Sequence, residues 1–485
     1  MMSDSQKAHE AWTKKFGKPQ VELERHEPEP FVAIRRLGGG GAGTVYETRL
    51  DGIALALKCT YTRRLHEHAL NEVKILAQLP GQRHQHIVEL IGSFVHRQRC
   101  GYEIGLLIYP VAHCDLATFL EDMDALKAWM DYKKTDYDTK NSETTTAKNN
   151  AISAYQTLAA FWKDVPSSSS YSMTLEEMTG LYNALQRRLC TNFTCMASAV
   201  AYLHRHKVRH KDIKPSQFLL SPTGLWLTDF GWSADMSNVA HSATSNHDNI
   251  TFRYHAPERE MGGSCSRRED VFSLGCTFLE MAIRLSQSPA ETTQKWQSRT
   301  GERWSFQANL NEIGHWLRPF RHAPDRRAPY LATIIQEMME QNPESRPTIE
   351  QVMESLSIEE FNVKSGEYEL GTFASPCCPP IAGICALGFT RLRDREESYD
   401  NSTDSKTNGE PSLTASQRPN SQTPSDLTQR SLAPPGGSWT SFPDVNVYYW
   451  ICCCCQACNS YEYDAGCPTC NNHWREACCS VFSPR

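Results

Sequence analysis

The sequence predicts an α+β fold, with a strand-rich part first, a helix-rich part after it, and then a polar stretch ending in clustered cysteines. Three observations predict this order. Short apolar runs carrying β-branched residues crowd positions 31–111: FVAIRRL, GTVYETRL, IALALK, HIVELIGSFV and EIGLLIYPV. Such runs, broken by turn residues, read as strands. Helical spacing takes over at 176–205 and again from 270 to about 361. Residues 394–445 are rich in Ser, Thr, Pro, Asn and Gln, and so lack the apolar surface that would offset the entropy of ordering them.

Taken in order, residues 1–30 are charged and polar and read as an N-terminal extension, a loose helix or tail. One domain is expected over 31–361. Within it, 66–79 places Leu70, Val73, Leu76 and Ala77 at helical spacing, an amphipathic helix. A polar, serine-rich segment at 121–175 reads as a surface insertion, partly disordered. Residues 362–445 are expected to be a disordered Ser/Thr/Pro-rich linker, and 446–485 a small Cys-rich tail.

The chain has 485 residues, of which 40% are hydrophobic and 22% charged, with a formal net charge of -6. These are ordinary values for a soluble globular protein and call for neither nucleic acid nor an anionic membrane as partner. The first residues, MMSDSQKAHEAWTKK, have no apolar core and do not read as a secretory signal. No apolar run reaches the length of about 18 residues that a membrane helix needs. Of the nineteen cysteines, seven lie scattered between Cys59 and Cys276 and read as incidental thiols. Nine crowd into Cys452–Cys479. The expected location is intracellular, cytoplasmic and/or nuclear, where clustered cysteines favour metal over disulfides.

Five motifs carry chemistry. Gly38, Gly40 and Gly43, followed by Val45, form a Gly-rich strand–turn–strand. Without side chains in the way, backbone N–H groups there can approach phosphate oxygens. The strand continues through Thr44–Glu47, whereas a dinucleotide-binding fold would start a helix at this point. Next, Lys58 ends the apolar strand Leu55-Ala56-Leu57. Taken alone, a strand-end lysine more often snorkels to solvent; if buried, its ammonium needs a partner, and Glu72 in the following helix offers one. The third motif is His210-Lys211-Asp212-Ile213-Lys214-Pro215-Ser216-Gln217, the fourth Asp229-Phe230-Gly231, and the fifth Ala256-Pro257-Glu258.

In this order and at these gaps, the five motifs resemble the eukaryotic protein-kinase family, over about residues 31–361. The resemblance implies a bilobal protein-kinase fold, with a β-rich N-lobe, a helical C-lobe, and ATP and Mg²⁺ between them. It implies that the Gly38–Val45 loop covers the phosphates, and that Lys58, paired with Glu72, holds the α- and β-phosphates. Asp229 and Gln217 would bind Mg²⁺, and Asp212 would take the proton of the acceptor hydroxyl. Lys214, at a position that resembles the serine/threonine branch, would neutralise the transferred group. Val45, Ala56 and Leu219 would sandwich adenine, below a gatekeeper at Ile108. Tyr109 and Val111 would bond its edge through their backbone, and Asp115 would approach the ribose. Asp270 would brace the catalytic loop, and Arg346 would pair with Glu258. Leu76, Leu90, His210 and Phe230 would stack between the lobes.

Two positions depart from the family. Lys211 stands where arginine is usual and cannot make the same bidentate bond to a loop phosphate. Ser242, Thr244 and Ser245 remain candidate phosphosites, and Thr251 matches the threonine that contacts the catalytic loop. Gln217 stands where asparagine is usual, one methylene longer. This opens a pseudokinase reading, a nucleotide-binding scaffold. In the tail, Cys452 and Cys455, then Cys467 and Cys470, form paired C-x2-C knuckles that suit Zn²⁺. With Trp450 and Asn459 they resemble the zinc ribbons of the Ran-binding nucleoporin type, which implies a protein or RNA partner. Cys453, Cys454, Cys458, His473, Cys478 and Cys479 compete as ligands. A membrane-proximal palmitoylated cysteine cluster or a disordered cysteine tail is the alternative, and an adaptor acting through the tail is a third reading of the chain.

Overall fold

The structure is a computed structural model that describes residues 2–40, 43–79, 84–134, 142–161, 174–235, 252–260, 262, 266–285, 305–321 and 327–356. Beyond these it describes the pieces 360–362, 367–369, 373, 375, 377–378, 449–451, 458–460 and 480–482. The chain divides into two units, 1–388 and 389–485.

The N-terminal lobe is a six-stranded sheet in the order β1-β5-β6-β4-β3-β2. Its strands are β1 (Gln20–Leu23), β2 (Arg35–Gly40), β3 (Gly43–Leu50), β4 (Ile53–Thr62), β5 (Glu89–Gln98) and β6 (Gly101–Tyr109). Strand side chains alternate between faces, and β4 shows what that does here. Leu55 and Leu57 enter one apolar cluster, with Phe94 and Leu107. Ala56 enters the other, with Val73 and Leu76 of helix α2 (Asn71–Gln78). Lys58 shares the parity of Ala56 and so faces α2.

The first thirty residues differ from the loose extension expected of them. Helix α1 (Asp4–Phe16) is closed by a Ser3/Gln6 capping box at one end and by Gly17, at φ 71°, at the other. Strand β1 pairs in parallel with β5, Val21 opposite Phe94. Trp12 lies in the cluster of Ala8, Phe31 and Leu57 and donates from Nε1 to the Lys18 carbonyl at 2.8 Å. A Cβ on Gly92 would sit 2.1 Å from the Trp12 ring, so the sheet accepts this indole only because position 92 is glycine.

The C-terminal lobe is helical. Its axis is α5 (Leu175–Arg205), begun by a Thr174/Glu177 capping box. Around α5 lie α3 (Leu116–Lys134), α7 (Arg267–Leu285) and α10 (Ile349–Leu356). The segment expected to be a partly disordered insertion contains the end of α3 and all of α4 (Ser142–Ala159), which pack together. Ala151, Ala154 and Leu158 are fully buried. Positions 135–141 and 162–173 of that segment lie outside the described residues.

The segment expected to be a linker also starts differently. Across its expected start, β12 (Glu360–Asn362) pairs antiparallel with β13 (Glu367–Glu369). Phe373 is buried, its ring 5.6 Å from that of Phe193 in α5. Residues 379–448 are outside the described set. In the second unit, Tyr449–Ile451 is the central strand of three, pairing antiparallel with Cys458–Ser460 and Ser480–Phe482. Cys452, Cys455, Cys467 and Cys470 lie outside the described residues. Among those described, no helix is long and apolar enough to cross a membrane.

Candidate active site

Lys58 Nζ, the end of the alternating strand β4, lies 2.7 Å from Glu72 Oε2 and 2.8 Å from Asp229 Oδ1. The lysine and glutamate side chains are 9% and 10% exposed. Burial would lower the lysine's pKa, but the two carboxylates outweigh it and hold it above the usual value. Burial raises the Glu72 pKa against the pull of Lys58. Asp229 goes the other way: Lys58 outweighs burial and its carboxyl is held below the ordinary range.

Asp229 follows the hairpin β9 (Phe218–Ser221) and β10 (Gly224–Leu227) and adopts φ 64°. This left-handed conformation is one that Asp tolerates better than most residues. Asn71, one residue before Glu72, holds the backbone beyond Asp229 in place. Its Nδ2 donates to the carbonyls of Gly231 and Ser233, both at 2.9 Å. The sequence reading missed Asn71, and nothing about an asparagine at a helix start singles it out.

The loop after α5 supplies the second carboxylate. Lys214 Nζ and Gln217 Nε2 donate to Asp212 Oδ2 at 2.8 and 3.1 Å. Gln217 Nε2 also donates to Asp229 Oδ2 at 3.1 Å. One side-chain amide therefore spans both aspartates. Asp270 holds this loop from below: its carboxylate accepts from the amides of His210 and Lys211 at 2.9 and 2.8 Å, and contacts His204 Nε2 at 2.9 Å. Burial opposes its charge, yet these donors outweigh burial and lower its pKa. Lys211, the departure from arginine, has φ 68°, and its carbonyl accepts from Arg259 at 2.8 Å. His210 and Phe230 are fully buried, their rings 5.2 Å apart.

The Gly-rich hairpin pairs Gly38 with Val45 and Gly40 with Gly43. Gly43 has φ 127°, and a Cβ there would lie 2.3 Å from the Cys59 carbonyl oxygen. Val45, Val111 and Leu219 are half-buried against the core, and Ala56 and Ile108 are buried. Asp115 is engaged as the cap of α3, accepting from the Thr118 amide at 2.9 Å. Tyr109 and Val111 also border a surface depression of about 850 Å³ between α1 and the β3–β4 turn. Neither Lys58, Asp212 nor Asp229 lines it. Ser242, Thr244, Ser245 and Thr251 lie outside the described residues.

The donor set suits a hard divalent cation. Carboxylate oxygens of Asp212 and Asp229 converge on one point, where the Gln217 amide supplies the only donor between them among the described contacts. Carboxylate and amide oxygens are what Mg²⁺ prefers. Turned about its last bond, the same amide would present oxygen instead of nitrogen.

Residues 165–356 match the protein kinase domain. A mitogen-activated protein kinase kinase of Nicotiana tabacum is 28% identical over 38% of this chain and 50% of its own. A MAP kinase kinase of Schizosaccharomyces pombe is 40% identical over 19% of this chain and 25% of its own. A mitogen-activated protein kinase kinase of Pyricularia oryzae is 30% identical over 32% of this chain and 36% of its own. The chain thus spans half the length of the first of these relatives and less of the other two. It carries a protein kinase domain with a β-sheet N-lobe and a helical C-lobe.

Proposed function

We propose that the chain is a protein serine/threonine kinase that transfers the γ-phosphoryl group of ATP to a protein hydroxyl inside the cell. The single observation that supports this best is the contact of Lys58 with both Glu72 and Asp229 at 2.7 and 2.8 Å. It ties the sheet, the helix α2 and the residues after β10 into one charged centre.

Phosphoryl transfer asks a protein chiefly for positioning and charge stabilisation. In this reading the Gly38–Gly43 hairpin lays backbone amides along the phosphates, and Lys58 holds their α and β oxygens. Asp229 and the Gln217 amide oxygen would hold Mg²⁺, which would supply charge neutralisation to the phosphates. Asp212 receives the proton of the attacking hydroxyl at Oδ2. Lys214, already at 2.8 Å from that oxygen, swings to the transferred group and offsets its charge. The relatives' names place them upstream of mitogen-activated protein kinases, so a protein kinase is an acceptor to try first.

A second reading is supported by Gln217, whose amide nitrogen already bridges the two carboxylates. A chain that keeps this bridge would bind nucleotide as a scaffold without transferring phosphate. Radiolabelled transfer to a generic protein substrate, with Mg²⁺ or Mn²⁺, separates the two. Incorporation that disappears in Asp212→Asn supports the enzyme. Equal incorporation in both proteins removes it, and nucleotide binding without incorporation supports the scaffold.

A further inference from the structure

Away from the cleft, four soft ligands meet. His86 precedes β5, Cys195 lies in α5, and Cys377 and Cys378 follow the buried Phe373. One ligand atom from each lies within 4.8 Å of all the others. The cysteines are free. We propose that His86, Cys195, Cys377 and Cys378 form a structural Zn²⁺ site that fastens the segment after the kinase domain to the seam between its lobes.

The spacing is that of a tetrahedron around zinc. Bond lengths of about 2.3 Å to sulfur and about 2.05 Å to nitrogen give edges of about 3.8 Å between sulfurs and about 3.6 Å from sulfur to nitrogen. Cys195 Sγ and Cys377 Sγ are 3.6 Å apart, and His86 Nε2 is 3.6 Å from Cys377 Sγ and 3.1 Å from Cys378 Sγ. The longest edge, at most 4.8 Å, needs to close by only about 1 Å. A disulfide would bring two sulfurs to about 2.05 Å, far inside the distance observed for Cys195 and Cys377.

The surroundings are those of a built site. His86 Nδ1 lies 2.9 Å from the Leu225 carbonyl, which keeps the proton there and leaves the Nε2 lone pair facing the sulfurs. His86 and Cys195 are 2% and 3% exposed. The arriving segment is seated independently: Thr194 Oγ1 donates to the Phe373 carbonyl at 2.6 Å, and the Cys378 amide donates to the Ser375 carbonyl at 2.8 Å. Ser375 Oγ and Gln85 Nε2 approach the sulfurs of Cys377 and Cys378 at 2.9 and 3.6 Å. Three thiolates and an imidazole suit zinc and not a hard cation. Four protein ligands leave no open position, so the site is structural. His86 lies between α2, which carries Glu72, and β5, so the ion would join the loop behind Glu72 to the long helix of the other lobe.

The test is metal content of the purified full chain, by mass spectrometry, for wild type and Cys377→Ser/Cys378→Ser. The variant is expected to hold one equivalent of zinc less. A tail variant, Cys452→Ser/Cys455→Ser, should keep that equivalent. Cobalt loading gives a second readout that does not depend on the double variant folding well. Cys377→Ser alone should lose intensity in the thiolate-to-cobalt charge-transfer band. Equal metal in wild type and double variant, including none in either, overturns the site. So does a Cys195–Cys377 crosslink in protein kept under nitrogen.

Discussion

Two buried ionic clusters in this kinase domain have opposite characters. Arg346 forks onto Glu258 with two bonds of 2.8 Å, and its remaining donors meet the carbonyls of Glu340, Gln341 and Arg268. The guanidinium lies 4.9 Å from the Phe272 ring centre. Charge matches charge and every direction is filled. In the cleft, two ammonium groups, Lys58 and Lys214, face three carboxylates, Glu72, Asp212 and Asp229. Two of those carboxylates share a neutral amide. The first cluster has nothing left to bind, whereas the second is short of positive charge at the point where its oxygens converge. Burial alone therefore does not identify a functional ion pair; an unfilled valence within the burial does.

The contrast can be broken most forcefully at Asp212. Asp212→Asn should lower phosphoryl transfer by about 10²–10⁴-fold, the usual worth of a positioned general base. Its unfolding midpoint should stay near that of wild type. A large fall in stability with activity per folded molecule retained would show that Asp212 belongs with the filled cluster. The reverse is expected of Arg346→Ala, which strands a buried carboxylate. It should cost about 3–5 kcal/mol in urea unfolding, with turnover of the folded fraction little changed.

Gly43→Ala probes the roof of the cleft. A Cβ would press on the Cys59 carbonyl at 2.3 Å, in a backbone conformation that L-residues resist. The cost of such overpacking is about 1–3 kcal/mol. It should appear as a raised KM for ATP with smaller changes in stability, because the hairpin lies at the edge of the sheet. A KM unchanged from wild type would mean that this hairpin does not lie over the nucleotide.

What could be read in the sequence follows the same division. Lys58 could be noticed as an ammonium ending an apolar strand with Glu72 fourteen residues on, but its strand alone reads equally as one whose lysine snorkels to solvent, and the motif order decided for the pair. Asp229, 171 residues from Lys58, was within reach only through the motif resemblance. The family match begins at residue 165, within the last part of the segment read as an insertion, so the Gly-rich hairpin and Lys58 rest on their own pattern and on the structure. The docking of α1 was not legible. Its buried face is only Ser5, Ala8, Ala11 and Trp12 among many charges, and its receptor is a glycine eighty residues on, Gly92. Helix α4 buries two alanines and one leucine, too faint a stripe to stand out from a polar segment. Cys195 looked incidental because its neighbours in space, Cys377 and Cys378, come 182 and 183 residues later.

The smallest expected effect addresses the residue at which the cleft departs from the family that its motifs resemble. Gln217→Asn shortens the side chain by one methylene and cannot reach both aspartates as the glutamine does at 3.1 Å each. If the bridge competes with a cation, its removal should lower the Mg²⁺ concentration for half-maximal transfer a few-fold, a change of about 1 kcal/mol or less, since a neutral hydrogen bond is worth about 0.5–1.5 kcal/mol net. Turnover at saturating Mg²⁺ should move less. A raised Mg²⁺ requirement would mean instead that the longer amide is itself the better metal ligand, reaching inward by the length that asparagine lacks. Either sign shows that position 217 touches the metal, and only an unchanged requirement would remove Gln217 from the site.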